Sequence, residues 1–278
     1  KQSYPHKELI IIDGGSTDET LDIIHKYKKH ISYIISEKDS GQSNAINKGL
    51  KVAKGDIVNW INADDYLAPN SLQTIAELFK NKNTNVVCGY CTIFDNTTNR
   101  IIQHYKMRIG KTAEETIFNP YMNQPSTFFK TNIIKQLGYV NESLHYVMDL
   151  ELWFKYLLYF NLEGITTTNV TLSFFRQHPQ SKSSSYQQLF NLEKQVIYFQ
   201  IYNQLNFPDF MSEFFIPQKD FSHIKMKPYN INSKFNSNYL ISLFCLKYAP
   251  VFYARYDYNN LKKCLYLYEK YNSIFNKQ

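Results

Sequence analysis

Leu9-Ile10-Ile11-Ile12-Asp13-Gly14-Gly15-Ser16-Thr17-Asp18-Glu19 is the stretch whose reading decides the fold. Four consecutive apolar residues without polar alternation describe a short strand buried on both faces, as in a parallel sheet. Asp13 ends that run and Gly14-Gly15 turn the chain. Ser16 to Glu19 then have the spacing of a capping box that opens a helix. Leu21, Ile24 and Tyr27 recur at helical spacing behind it.

Working outward, the same alternation repeats. Residues 31–36 read as a strand. Residues 43–53 read as a capped surface helix with Ala45, Ile46, Gly49 and Leu50 on its small apolar face. Residues 57–61 form another buried strand, Pro69 suits the first turn of a helix ending near Phe79, and residues 85–94 are again a strand. This βαβαβαβ order predicts an α/β fold, a Rossmann-related, mostly parallel sheet flanked by helices. After Arg100 the pattern loosens. Residues 131–137 and 148–160 read as helices, and residues 165–175 alternate like a strand at or near the sheet edge. A Ser-rich loop over residues 180–186 marks a domain boundary, so residues 1–185 are expected to form one domain and residues 186–278 a helical, basic, aromatic extension. Amphipathic helical pieces fall near residues 191–204 and 260–275. In the other direction, Gln2-Ser3-Tyr4-Pro5 runs straight into the first buried strand and reads as the exit loop of a helix that is absent.

Composition bounds the class. A chain of 278 residues with 44% hydrophobic and 20% charged residues can bury a sizeable core. Beyond Tyr186 there are 11 Lys and Arg against 6 acids, so much of the +7 net charge lies there, among many of the 23 Tyr and 20 Phe. A basic aromatic region suits an anionic surface such as membrane headgroups, and compositional bias of the source is the competing explanation. No apolar run is long enough for a transmembrane helix and no signal peptide opens the chain, which predicts a cytoplasmic protein whose C-terminal region packs on the catalytic domain, dimerises or rests on the inner face of the membrane, packing being the leading reading. Cys88 and Cys91 have redox-motif spacing, but they lie in a strand where residues three apart face opposite ways, so buried free thiols are expected. No basic, aromatic stacking module for nucleic acid is recognisable.

The chemistry concentrates at strand ends. Asn62-Ala63-Asp64-Asp65 follows the apolar run Ile57-Val58-Asn59-Trp60-Ile61. Adjacent carboxylates there are costly to desolvate unless paired, and hard oxygen ligands suit Mn²⁺ or Mg²⁺ carrying a diphosphate. The alternative is a solvated turn leading to Pro69. Asp13 also ends a strand, and ligands of open α/β sheets bind outside the carboxyl ends of strands. The dinucleotide fingerprint G-x-G-x-x-G is absent, and an Asp precedes the glycines instead. Such a carboxylate can accept the N–H of a uracil or guanine edge.

Three segments in order are distinctive: Ile11-Ile12-Asp13-Gly14-Gly15-Ser16-Thr17-Asp18, then Asp39-Ser40-Gly41-Gln42-Ser43-Asn44-Ala45-Ile46-Asn47-Lys48-Gly49, then Trp60-Ile61-Asn62-Ala63-Asp64-Asp65. Downstream come Asn123-Gln124-Pro125-Ser126-Thr127, Met148-Asp149-Leu150-Glu151-Leu152-Trp153, and Phe175-Arg176-Gln177-His178 with Ser181 and Ser183. Together they resemble the inverting family 2 glycosyltransferases of GT-A fold, over residues 1 to about 185. The resemblance implies that Asp13, Ser16, Asp39, Gly41, Asn47, Asn62 and Ala63 line the site of a nucleoside-diphosphate sugar. It implies that Asp64, with His178, holds the divalent ion, and that Asp149 is the general base. Gln124 and Ser126 would lie near the sugar, and Trp153 would flank a saccharide or lipid-linked saccharide acceptor. Bacterial surface polysaccharide is the expected product class. Two features depart from the family. Asn62 stands where an Asp is frequent, and the family's opening strand and helix are not present. The rival readings are a sugar-nucleotide nucleotidyltransferase and a non-catalytic nucleotide-sugar-binding protein.

Overall fold

The computed structural model of the protein describes residues 2–216 and 221–275. In chain order the elements begin with β1 (Ile10–Asp13), α1 (Thr20–Lys26), β2 (Tyr33–Ser36), α2 (Gln42–Val52), β3 (Ile57–Val58), β4 (Tyr66–Leu67), α3 (Ser71–Leu78), β5 (Val86–Asp95) and β6 (Ile101–Lys106). There follow α4 (Ala113–Phe118), β7 (Thr127–Lys130), α5 (Thr131–Gln136), α6 (Met148–Phe160), β8 (Ile165–Gln177) and α7 (Lys182–Ser185). The rest is helical: α8 (Gln187–Gln204), α9 (Ser212–Phe215), α10 (Ser237–Ala254) and α11 (Tyr258–Phe275). The chain divides into two compact units. One comprises Lys1–Met107, Met122–Leu152 and Glu163–Gln187; the other comprises Arg108–Tyr121, Trp153–Leu162 and Gln188–Gln278.

The first unit is α/β, as the alternation predicted. β1 and β2 form a parallel pair in register from Ile10–Tyr33 to Asp13–Ser36. The larger sheet runs β3-β7-β5-β8-β4, with β6 also paired to β5. It is mixed rather than mostly parallel. Only β5 and β8 run parallel within it, while β7, β6, β3 and β4 pair antiparallel. The parallel expectation rested on the early βαβ repeats, but β6 returns on β5 as a hairpin and β7, which follows α4 in the chain, also pairs with β5 antiparallel. β8 lies next to the edge strand β4, which pairs with it at Ser173 and Phe174, so it runs near the sheet edge as expected. Its alternating look comes from residues 168–170, which leave the β5 ladder between the Thr167 and Thr171 pairings and expose Asn169 and Val170. Ile75, Val87, Phe128 and Leu172 form the core beneath this sheet, with Ile57, Leu67, Leu72, Leu78 and Phe79 packed against it.

Gly89 allows the closest approach in the sheet. A Cβ there would meet Leu172 Cγ at 2.5 Å and the Val170 oxygen at 2.8 Å. The β5–β8 register shifts at this point, and Cys88 and Cys91 on either side of it are both buried free thiols. Burial pushes their pKa values up to about 12 and about 11, which leaves them protonated and inert.

β3 is two residues long where a five-residue strand was expected. The run leaves the sheet early because the Gln124 side chain takes over its polar groups. Gln124 Nε2 donates to Asn59 Oδ1 at 3.0 Å and to the Trp60 carbonyl at 2.7 Å.

The second unit explains much of the aromatic content. Phe244 of α10 packs against Phe118, Tyr198, Phe207 and Phe215, with ring centroids 5.1 to 5.8 Å apart. Asn236 caps α10 by accepting the Tyr239 N–H at 3.0 Å. Tyr253, Tyr256, Tyr258 and Tyr266 remain exposed. Among the described residues no helix is long and apolar enough to cross a membrane.

Candidate active site

Asp13 ends β1 with a buried carboxylate that accepts from its own turn. It takes the Gly15 and Ser16 N–H groups at 3.1 Å, the Ser16 hydroxyl at 2.5 Å and the Ser36 hydroxyl at 2.7 Å. The two serine hydroxyls hold its pKa below the usual carboxylate range. Ser16 therefore braces Asp13 and does not cap α1, whose start has no side-chain cap. A second carboxylate stands over this turn. Asp39 Oδ1 accepts the Gly41 N–H at 2.8 Å, and a Cβ on Gly14 would lie 2.7 Å from Asp39 Oδ2. Only a glycine at 14 leaves room for that approach. Gly41 itself has φ +123°.

The segment after Gly41 was expected to be a surface helix with Asn47 facing the nucleotide. The structure corrects this. Ser43, Ile46, Asn47 and Leu50 form one buried stripe of α2. Asn47 donates to the Val140 carbonyl at 2.9 Å and Glu142 Oε1 at 2.8 Å, and accepts the Val140 N–H at 3.1 Å. Asn44 donates to Glu142 Oε2 at 2.8 Å, and the Ser43 hydroxyl donates to the Leu144 carbonyl. Hydrogen bonds from Asn47 and Asn44 hold the Glu142 pKa low. This polar stripe fixes the chain entering α6, and so positions Asp149. The signal was present in the sequence as an i, i+3, i+4, i+7 pattern in which two of the four residues are polar.

The turn at residues 62–65 carries the metal-site expectation. The Asp65 N–H donates to the Asn62 carbonyl at 3.0 Å. Asn62 Oδ1 accepts from Gln42 Nε2 at 2.8 Å, and Asn62 Nδ2 donates to Asp65 Oδ2 at 3.3 Å. Asp65 is buried and accepts the Arg176 N–H at 3.0 Å, pinning the turn to β8. Desolvation pushes its pKa up to about 6. Ala63 is exposed, and Asp64 is the acid of this turn that reaches solvent.

Asp64 Oδ2 lies 3.1 Å from His178 Nε2, across 114 residues of sequence. On the other side of the ring, His178 Nδ1 faces Gln180 Oε1 at 3.2 Å. The two ring nitrogens thus face a carboxylate oxygen and a side-chain amide, and which of them donates depends on the tautomer. A carboxylate and an imidazole brought together in this way are the side chains that would hold Mn²⁺ or Mg²⁺. Among the described residues no group of three or more His, Cys, Asp or Glu converges. Two protein ligands completed by phosphate and water suit these ions.

Asp149 opens α6. It is partly buried, and its carboxylate accepts the Leu150 N–H at 2.8 Å. Desolvation raises its pKa. Gln124 braces the Asn59–Trp60 segment that leads to the acidic turn. Ser126 is fully buried, with its hydroxyl on the Tyr90 carbonyl at 2.7 Å and on Ser173 Oγ at 2.5 Å. It holds strands together and is closed to a ligand. Trp153 is likewise buried, edge-on to Tyr156, so it packs the core and does not present a ring to an acceptor. Gln42 and Lys182 were not expected here, and Lys182 Nζ donates to Gln42 Oε1 at 2.9 Å. Lys182 was hidden by its Ser-rich surroundings, which read as a linker.

The sequence profile of Glycosyl transferase family 2 matches residues 1–140. The chain belongs to this family. An uncharacterized glycosyltransferase of Rickettsia typhi is 29% identical over 180 residues, covering 61% of this chain and 56% of the relative. The poly-beta-1,6-N-acetyl-D-glucosamine synthase of Staphylococcus epidermidis is 30% identical over 145 residues, covering 49% of this chain and 35% of the synthase. Among solved structures, S. aureus TarS 1-349 in complex with UDP-GlcNAc superposes with a TM-score of 0.58 at 18% identity, over 89% of this chain and 64% of TarS. That likeness shows the GT-A fold. The chain spans little more than half the length of the Rickettsia relative.

Proposed function

We propose that this family 2 glycosyltransferase is an inverting, metal-dependent enzyme. It moves a sugar from a nucleoside-diphosphate donor to a hydroxyl of a saccharide or lipid-linked saccharide, in assembly of a bacterial surface glycan. The observation that carries this reading is the Asp64–His178 pair, where two metal-competent side chains from opposite ends of the domain meet at ion-binding distance. The UDP-GlcNAc complex of TarS and the polysaccharide product of the Staphylococcus synthase support the donor and product classes.

Each residue then has a task. The Asp13–Asp39 wall receives the base. An incoming base N–H reaches Asp13 by replacing one of the serine hydroxyls, while Asp39 Oδ2 already stands over the turn. Asp64 and His178 hold Mn²⁺ or Mg²⁺, which when bound neutralises charge on the departing diphosphate. Asp65 and Asn62 keep the turn rigid beneath it. Asp149 removes the proton from the acceptor hydroxyl as that oxygen attacks the anomeric carbon from the face opposite the diphosphate. The raised Asp149 pKa makes it a better base once ionised. The exposed tyrosines and the basic charge of the last third suit peripheral contact with an anionic membrane carrying the acceptor.

Donor hydrolysis with Mn²⁺ and product anomer by NMR test this reading. Asp149→Asn is expected to lower turnover by about 10²- to 10⁴-fold with donor binding retained. The acid limb of the wild-type rate profile is expected above the ordinary carboxylate range, since Asp149 must be ionised. Retention of configuration, or full activity in Asp149→Asn, would sink the mechanism.

A further inference from the structure

Gln42 uses both ends of its amide. Its Nε2 donates to Asn62 Oδ1 at 2.8 Å, and its Oε1 accepts from Lys182 Nζ at 2.9 Å. An ammonium only donates, so these contacts fix the direction of the whole chain. Lys182 donates to Gln42, Gln42 to Asn62, and Asn62 to Asp65. Lys182 Nζ also donates to the His145 carbonyl at 3.3 Å and lies 5.7 Å from the centre of the Tyr146 ring. His145 and Tyr146 sit on the approach to Asp149. Lys182 follows His178 by one turn, and the Ser181 hydroxyl accepts the His178 N–H at 3.0 Å. One ammonium is thus tied to the acidic turn, to the approach to the base and to the His178 loop.

We propose that Lys182 binds the donor diphosphate directly, and that Gln42 is the positioning residue that holds it beside Asn62. The inference rests on the donor reading above. Gln42 sets the Lys182 ammonium one amide away from Asn62 of the acidic turn. The chemistry it recognises is a nucleoside diphosphate, through a charge-assisted hydrogen bond.

Calorimetry with UDP, GDP and dTDP, each beside its parent nucleoside, tests it in Mn²⁺ and again in EDTA. The proteins are wild type, Lys182→Gln, Lys182→Arg and Gln42→Leu. Lys182→Gln is expected to weaken the preferred diphosphate by about tenfold or more while leaving the nucleoside unchanged. Lys182→Arg should retain most of the affinity. Gln42→Leu should lose an intermediate amount, again in the diphosphate only. The salt dependence of diphosphate binding should flatten in Lys182→Gln. Equal diphosphate affinity in wild type and Lys182→Gln overturns the proposal. Equal weakening of nucleoside and diphosphate also overturns it, since that marks a structural role. If wild type binds no diphosphate in either condition, the donor reading itself fails.

Discussion

Replacing Asn47 with alanine removes three hydrogen bonds at a residue 3% exposed. Two are to the Val140 backbone, itself buried, and one is to the Glu142 carboxylate. A neutral buried hydrogen bond contributes about 1 kcal/mol net, and one to a charged group about 1.5–3 kcal/mol. Glu142 keeps Asn44 and a distant Lys51 at 3.8 Å, so its share of the loss is toward the low end. Val140 has no such substitute, and leaving its buried N–H and carbonyl unmet costs about 1–3 kcal/mol. The expected destabilisation is about 3 kcal/mol, a large part of the roughly 5–15 kcal/mol that holds a domain folded. Urea titration at unchanged m-value measures it. Because residues 140–147 lead into α6, turnover in the folded variant should fall while nucleotide affinity holds. A loss below about 0.5 kcal/mol, or a variant of wild-type stability that binds nucleotide weakly, would refute the clamp and return Asn47 to the donor pocket.

Gly89→Ala should destabilise by about 1–3 kcal/mol or more, because the new methyl meets Leu172 and the Val170 oxygen inside 3 Å; thermal denaturation reads this, and an unchanged midpoint contradicts the close packing. His178→Ala should weaken Mn²⁺ binding, measured by calorimetry, and leave UDP binding in EDTA unchanged; undiminished Mn²⁺ affinity would remove His178 from the metal site. Asp13 and Glu142 have lowered folded-state pKa values, so the stability they contribute is present above their unfolded values, 3.8 and 4.5. It should be lost as pH falls below that range, and Asn47→Ala should blunt the Glu142 part of the acid transition.

The strand ends were legible because a continuous apolar run followed by an acid has few other uses. β1, α2, β5 and α6 all lie where the periodicity put them, within a residue or two. What escaped was long-range pairing. Nothing local in residues 127–130 says that β7 pairs antiparallel with β5, and the sheet proved mixed. Within the site, residue type was legible and task was not. Asp64 and His178 meet, as the resemblance implied. Asn47, Ser126 and Trp153 have the same chemistry whether they face a ligand or a buried carbonyl, and burial decided all three.

Asn62 shows why a departure from a family pattern need not mean lost function. Its Nδ2 lies 3.3 Å from Asp65 Oδ2, and Asp65 is buried with its other oxygen on the Arg176 N–H. An aspartate at 62 would set a second carboxylate against one that burial and Asp64 already push toward protonation. The amide removes that repulsion by donating to Asp65, and its oxygen still accepts from Gln42. Asp64 is left as the acid of the turn that faces His178. Asn62→Asp should therefore strain the turn, and it should not improve metal binding unless Asp65 takes up a proton. A variant with tighter Mn²⁺ binding and unchanged stability would show instead that position 62 is a ligand site.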